Sequence, residues 1–361
     1  MNSPIEDTPS REVNRQTNRY WLFGLFFFLI LLLFILNLVL GSVNIPVKNI
    51  WTILVGGEGV KESWVYIVQN SRLPRVLTAA LAGIALSASG LQMQTMFRNP
   101  LADPFILGIN SGASLGVALA ILGSSFVGGL FIPSLNVAGE FSLVLAASAG
   151  ASVVLALILL VGRWVQNPTT LLILGLMFGH ATGAVVSLLV YFSAPERIQA
   201  YSIWSFGSFS GVNWTQLRVM AVVILSGVGL LALLPKGLNA LLLGEDYART
   251  MGLNTGLLRF VVLLSASVLS GAVTAFCGPI GFIGVAVPHI ARNLFRTSNH
   301  KILIPAIILI GAAVSMAASL IAQLPGSQLV LPINVVTSLF GAPFVLWVVL
   351  KRKRGAASFN V

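Results

Sequence analysis

Ten stretches of this chain are each apolar and long enough to cross a lipid bilayer, and they leave room for little else. A hydrocarbon core about 30 Å thick needs roughly 20 apolar residues per helix, and only 9% of the 361 residues are charged. Spans are expected near 20–40, 76–96, 105–128, 141–161, 170–192, 217–234, 257–276, 279–295, 302–322 and 331–350. The fold class is therefore an all-α integral membrane protein with three sections: an N-terminal tail over 1–19, a ten-helix transmembrane domain over 20–350 and a C-terminal tail over 351–361.

An even count of spans puts both termini on one side, and the basic residues say which. Lys and Arg near helix ends favour the cytoplasm. Arg11, Arg15 and Arg19 precede the first span and Lys351, Arg352, Lys353 and Arg354 follow the last. Both tails are then cytoplasmic, and with alternating loops fifteen of the 21 Lys and Arg fall inside. The six left outside are Lys48, Lys61, Arg72, Arg75, Arg197 and Arg218. The net charge of +11 is thus spread over span ends instead of forming one basic face, which argues against a nucleic-acid partner. Tyr20–Leu40 follows a basic tail as a signal peptide would, but it exceeds a typical h-region and lacks a small-x-small cleavage site, so it reads as a retained helix. Cys277, the only cysteine, permits no intrachain disulfide.

No soluble domain fits between the spans. The longest connections, near 41–75, 193–216 and 235–257, each carry a short apolar stretch. Ile45–Leu54 and Ile198–Phe209 read as short interfacial helices on the outer side, with Trp51, Tyr201 and Trp204 at headgroup level. Small residues crowd three spans, at Gly83 and Ala85–Gly90, at Gly108–Gly116 and at Gly311–Ala318, and read mostly as seams where helices approach closely. Asn99–Pro104 (NPLADP) and Gly278–Pro288 (GPIGFIGVAVP) place Pro and Gly where a span should begin or be under way. Irregular backbone at that depth survives only inside protein or beside a water-filled cavity.

Four segments carry a resemblance: Arg72–Gly116 (RLPRVLTAALAGIALSASGLQMQTMFRNPLADPFILGINSGASLG), Leu242–Leu253 (LLGEDYARTMGL), Ile280–Arg292 (IGFIGVAVPHIAR) and Leu331–Leu346 (LPINVVTSLFGAPFVL). In sequence and order they resemble the FecCD family, permease subunits of ABC importers for iron–siderophore complexes, haem and cobalamin, from about Leu29 to Arg352. The resemblance implies a multi-pass protein of the bacterial inner membrane that is not itself an enzyme. It also implies inverted repeats of spans two to five and seven to ten, and a homodimer or related heterodimer with a pathway along the subunit interface. The implied partners are two cytoplasmic ATPase subunits that bind ATP and Mg²⁺, and a periplasmic or lipid-anchored binding protein. No cofactor is expected in this chain. Independently of the resemblance, no Gly-Lys dipeptide occurs, so no Walker A loop is present to cradle ATP phosphates.

Site residues follow from matching motifs. The resemblance makes Arg72 and Arg75 a dock for carboxylates on the binding protein, against the bland alternative of snorkelling to lipid phosphate. Ser319, Gln323 and Val330 stand where the family commonly has Asp, Arg and Glu, which removes companion charges from that dock. Leu242, Gly244, Glu245, Ala248, Arg249 and Gly252 belong to a cytoplasmic segment for which the resemblance implies coupling helices that enter the ATPase, with Gly244 and Gly252 permitting tight turns; as bare sequence it reads as an amphipathic surface helix with Leu242, Tyr247 and Met251 together and Glu245, Asp246 and Arg249 facing elsewhere. Asn99, Leu101, Pro168 and Thr169 match a cytoplasmic gate and read equally as caps and turns.

His180, His289 and His300, the last placed in a loop, have no metal-ligand spacing. His180 remains a pathway candidate, since ionisable residues inside membranes tend to face cavities. No catalytic constellation is found. The rival reading is a secondary transporter of a small solute, disfavoured because the acidic residues fall in tails and loops instead of a buried ion site.

Overall fold

The computed structural model describes residues 9–123, 137–161, 164, 168–324, 326–327 and 329–357. The described side chains begin at Arg19; those of Arg11, Arg15, Pro168, Thr169 and the Lys351–Arg354 run, and Arg163 altogether, lie outside them.

In chain order the helices are α1 (Pro9–Val39), α2 (Val47–Val55), α3 (Glu62–Ile67), α4 (Leu73–Met96), α5 (Ile109–Ile121), α6 (Val137–Val161), α7 (Pro168–Tyr191), α8 (Pro195–Ser205), α9 (Trp214–Ala232), α10 (Pro235–Leu243), α11 (Glu245–Thr250), α12 (Thr255–Cys277), α13 (Ile283–Phe295), α14 (His300–Ala322) and α15 (Ile333–Ala357). A π-helical turn, Val68–Arg72, joins α3 to α4. The basic segment before Tyr20 is thus helical from Pro9, and α15 carries the helix through the C-terminal basic run to Ala357. The two short helices expected between spans form as α2 and α8; Trp51 is exposed, whereas Tyr201 and Trp204 are half-buried against the core.

Among the described residues, seven helical segments are long and apolar enough to cross a membrane: Arg19–Val39, Glu62–Met96, Phe141–Val161, Thr170–Tyr191, Trp214–Ala232, Thr255–Cys277 and His300–Ala322. Ile109–Ile121 and Ile333–Val348 are shorter apolar helices. At 1.5 Å per residue the 13 residues of α5 or α13 span only about 20 Å, short of the bilayer core. Each of these two begins after a stretch of irregular backbone. Side chains cap three of the helix starts: Asn213 with Gln216 forms a capping box on α9, and Asn254 and Asn299 cap α12 and α14.

The packing centre is α4, held by α9, α12, α13 and α14. Its small residues allow contact at backbone distance. A Cβ added at Gly83 would lie 2.1 Å from the Gly311 carbonyl oxygen of α14, and one at Gly90 would lie 1.9 Å from that of Gly284 in α13. Hydroxyls fill the same seams: Ser87 Oγ donates to Ile307 O (3.0 Å) and Ser89 Oγ to Ala266 O of α12 (2.6 Å). In lipid such close packing and interhelical hydrogen bonds replace the hydrophobic drive. The Gly108–Gly116 run performs the same task against α6, where an added Cβ at Gly116 would meet Ala146 O at 2.0 Å. By contrast, α7 packs on α5 along one side and is exposed over most of the rest.

Candidate functional site

After α4 the chain reverses. Arg98 N donates to Thr95 O and Asn99 N to Gln94 O, a Schellman closure with Arg98 at φ 45° in the left-handed position usually given to Gly. Asn99 then makes its own turn, its Oδ1 accepting from Leu101 N (3.0 Å) and its carbonyl from Ala102 N (3.1 Å). Asp103 Oδ1 caps the following 3₁₀ turn, Pro104–Leu107, by accepting from Phe105 N (2.9 Å).

The depth of this segment is set by its neighbours. Asp103 is buried, and a Cβ added at Gly284 would lie 2.8 Å from its Oδ2 and 3.2 Å from Leu86 O. Leu86 is ten residues before the end of α4, about 15 Å back along the helix. NPLADP therefore runs back into the protein and meets the start of α13, so the two Pro/Gly breaks singled out in the sequence touch each other. The second break is confined to 278–282, where Gly278 and Phe282 have positive φ; Pro288 itself is accommodated inside α13. Asp103, a loop residue by sequence, is the buried acidic residue among those described.

The last turn of α4 grips its neighbours. Gln94 Nε2 donates to Val285 O (3.2 Å), and its Oε1 accepts from Arg292 of α13. Gln94, Arg98, His289, Arg292 and Asn293 line a cleft of about 570 Å³ that also touches Leu242. A Cβ on Gly244 would come within 3.6 Å of Arg98 Nη1, so the end of α4 adjoins the expected coupling segment. Among the expected gate residues, Asn99 and Leu101 form this reversal, while Pro168 and Thr169 start α7 with side chains outside the described set.

The coupling segment is two helices broken at Gly244 (φ 120°), not one amphipathic helix. The break changes which residues face out. Ala248, expected at a partner surface, is 0% exposed and packs inward, whereas Leu243 (66%), Tyr247 (51%) and Met251 (60%) are bare. Glu245 does not stand free, since its oxygens pair with Arg249 (3.2 Å) and Arg259 of α12 (2.8 Å), bracing α11 on α12. Arg249 also donates to Thr255 Oγ1 (3.0 Å). Gly252 (φ 80°) ends the segment in open space.

At the opposite end, the expectation of two exposed arginines is corrected for Arg72. Its guanidinium is buried and donates to the carbonyls of Leu38, Val39 and Val43, satisfying the C-terminal end of α1. Gly41 is small because Arg72 passes there: an added Cβ would be 2.9 Å from Nη2. Arg75 is half-buried and lines a narrow cleft with Ser208, Ser210, Ser319, Gln323 and Val330. The three positions that lack the family's charges thus surround one arginine, whose buried Nε has no hydrogen-bond partner.

His300 is not in a loop. It opens α14 and is fully buried, while His180 is exposed on α7 and the His289 ring stands 5.8 Å from that of Phe344. Among the described residues no group of three His, Cys, Asp or Glu could hold a metal.

Residues 29–351 match the FecCD transport family. The chain belongs to the FecCD transport family. Among its FecCD relatives, the hemin transport system permease protein HmuU of Yersinia pestis is 36% identical over 324 residues, covering 90% of this chain and 95% of the relative. The vitamin B12 import system permease protein BtuC of Klebsiella pneumoniae is 36% identical over 343 residues, covering 95% and 97%. Among solved structures, an inward-facing metal-chelate type ABC transporter superposes with a TM-score of 0.79 at 30% identity, covering 92% of this chain and 99% of that one. Helical spans and FecCD membership together make this a multi-pass integral membrane protein of transport type.

Proposed function

We propose that this chain is the permease subunit of an ABC importer that carries an iron chelate, haem or cobalamin into the cytoplasm by alternating access, driven by separate ATPase subunits. The observation that carries the reading is a match along nearly the whole chain to permeases named for haem and vitamin B12 import. The rival secondary transporter gains nothing from Asp103, whose burial is explained locally by its cap on Phe105 N and its seat on Gly284.

The finer reading has ten spans with both termini cytoplasmic in the bacterial inner membrane. In support, residues assigned to the outer side group together. Gly207 accepts from Ile333 N, and Cys277 O from Ser208 N. Residues assigned to the inner side likewise group around Gln94, Arg98, Leu242 and Arg292. The homodimer is supported by α7, which bares His180 and Ser187 beside its apolar residues. A polar face is costly in lipid, and a second copy with a pathway between would cover it. In this arrangement Asn99, Leu101, Pro168 and Thr169 form the inner gate, Arg75 meets the binding protein, and Leu243, Tyr247 and Met251 enter the ATPase.

The deciding experiment is reconstitution with the ATPase and binding protein in proteoliposomes, assaying haem, cyanocobalamin and a ferric siderophore in turn. ATP-dependent uptake of one of them is expected. Uptake driven by an ion gradient without the ATPase would overturn the proposal.

A further inference from the structure

A buried histidine joins three helices at the inner end. His300 Nδ1 lies 2.7 Å from Asn239 Oδ1 of α10, and the same oxygen accepts the His300 backbone N–H at 2.9 Å. The other ring nitrogen, Nε2, lies 2.8 Å from Thr95 Oγ1 of α4. The Asn239 amide is oriented by its Nδ2, which donates to Asn299 Oδ1 (3.0 Å). An amide oxygen only accepts, so Nδ1 carries the ring proton and neutral Nε2 accepts from the Thr95 hydroxyl.

The elements joined here are not arbitrary. Asn239 sits on α10, which leads through Gly244 into the exposed Tyr247 face, and Thr95 sits three residues before Arg98, where the gate reversal begins. We propose that Asn239, His300 and Thr95 form a positioning link that passes displacement of the α10–α11 segment to the last turn of α4, and so to the inner gate. This rests on the reading of that segment as the ATPase contact.

Thr95 makes the link breakable. Its hydroxyl also lies 2.8 Å from Leu91 O within α4. One hydroxyl proton cannot serve both acceptors. When α14 withdraws, the hydroxyl turns to its own helix and α4 keeps no stranded donor, so the link has two satisfied states on that side. Gln94, the preceding residue, holds α13 on another face through Val285 and Arg292. The turn that begins the gate is therefore gripped from two directions, and the His300 side is the one whose hydrogen bonds reach α10.

The test uses the assembled permease–ATPase complex with a cysteine at Leu101, labelled by a maleimide in nucleotide-free and ATP-trapped states. Thr95→Val removes the hydroxyl at nearly constant volume, and His300→Asn keeps an amide nitrogen near the Nδ1 position while losing Thr95. In both, the ratio of labelling rates between the two states is expected to fall about fivefold or more, the size of a modest coupling energy. Basal ATP hydrolysis and complex assembly should persist. A purely structural role would lower thermal stability and leave the ratio unchanged, and that result in both variants would overturn the link. Should His300→Asn fail to assemble, Thr95→Val decides alone. A separate Tyr247→Cys cross-link to the ATPase distinguishes the underlying reading: no cross-link in the otherwise unaltered complex sinks both, whereas a cross-link with unchanged ratios sinks only the link.

Discussion

Gly90→Ala adds a single methyl group at the tightest contact in the structure. That Cβ would sit 1.9 Å from Gly284 O, and contacts under 3.0 Å are essentially never seen for real Cβ atoms, so α4 and α13 must separate by about 1.1 Å at this point. No flexible side chain can absorb the shift, because the obstruction is backbone. Overpacking of this kind costs about 1–3 kcal/mol, and the movement also lengthens the Gln94 bonds to Gly284 and Val285, now 3.4 and 3.2 Å. Each lost bond adds roughly 0.5–1.5 kcal/mol, giving a destabilisation of about 2–6 kcal/mol. The measurement is thermal unfolding of the purified protein in detergent, with Gly183→Ala as the control. Gly183 lies on α7 with nothing within 4 Å of an added Cβ, and Ala there should stabilise by up to about 1 kcal/mol through helix propensity. If Gly90→Ala and Gly183→Ala unfold at the same temperature, the close approach of α4 and α13 is wrong.

Arg72→Ala strands the buried Leu38 carbonyl, while Val39 O keeps Ile45 N and Val43 lies at the surface, and should cost about 1–3 kcal/mol in thermal stability; a fully stable variant with lost binding-protein affinity would return Arg72 to the docking surface. Arg75→Glu should instead leave stability nearly unchanged and weaken binding-protein affinity in titrations at low salt, with the difference shrinking as salt rises. Replacing Leu243, Tyr247 and Met251 together by Ser should reduce copurification with the ATPase, while Ala248→Ser should not, since Ala248 is enclosed; equal losses would refute the orientation of α11. Cysteines at Pro168 or Thr169 should cross-link between two copies when the inner gate is closed, and absence of that product in every nucleotide state would remove this turn from the gate.

Seven of the ten expected spans were legible because hydropathy over about 20 residues needs no tertiary knowledge, and Asn213, Asn254 and Asn299 mark helix starts in the same local way. Asn299 also held an unused clue: an N-cap directly before an apolar run puts His300 inside a helix. The sequence could not reveal that Arg72 is a cap, because its carbonyl partners lie 29 to 34 residues away. Nor could it place Asp103, whose depth depends on a chain reversal that returns it to Leu86. Ala248 was misplaced for a different reason. Its expected place came from the motif match, and a motif does not say which side of α11 packs inward once the chain turns at Gly244.

The enclosure of α4 bears on how the chain is made. Ser87, Ser89 and Gln94 find acceptors or donors at Ile307, Ala266 and Arg292, which lie 220, 177 and 198 residues later in the chain. At about 5–20 residues per second, ribosomal synthesis delivers the last of these partners roughly ten to forty-five seconds after α4 emerges. During that interval a helix lined with hydroxyls and amides faces hydrocarbon or remains in the translocation machinery. The packing of α4 is therefore completed only when α14 arrives, and until then Ser87 has the Ile84 carbonyl of its own helix as an acceptor.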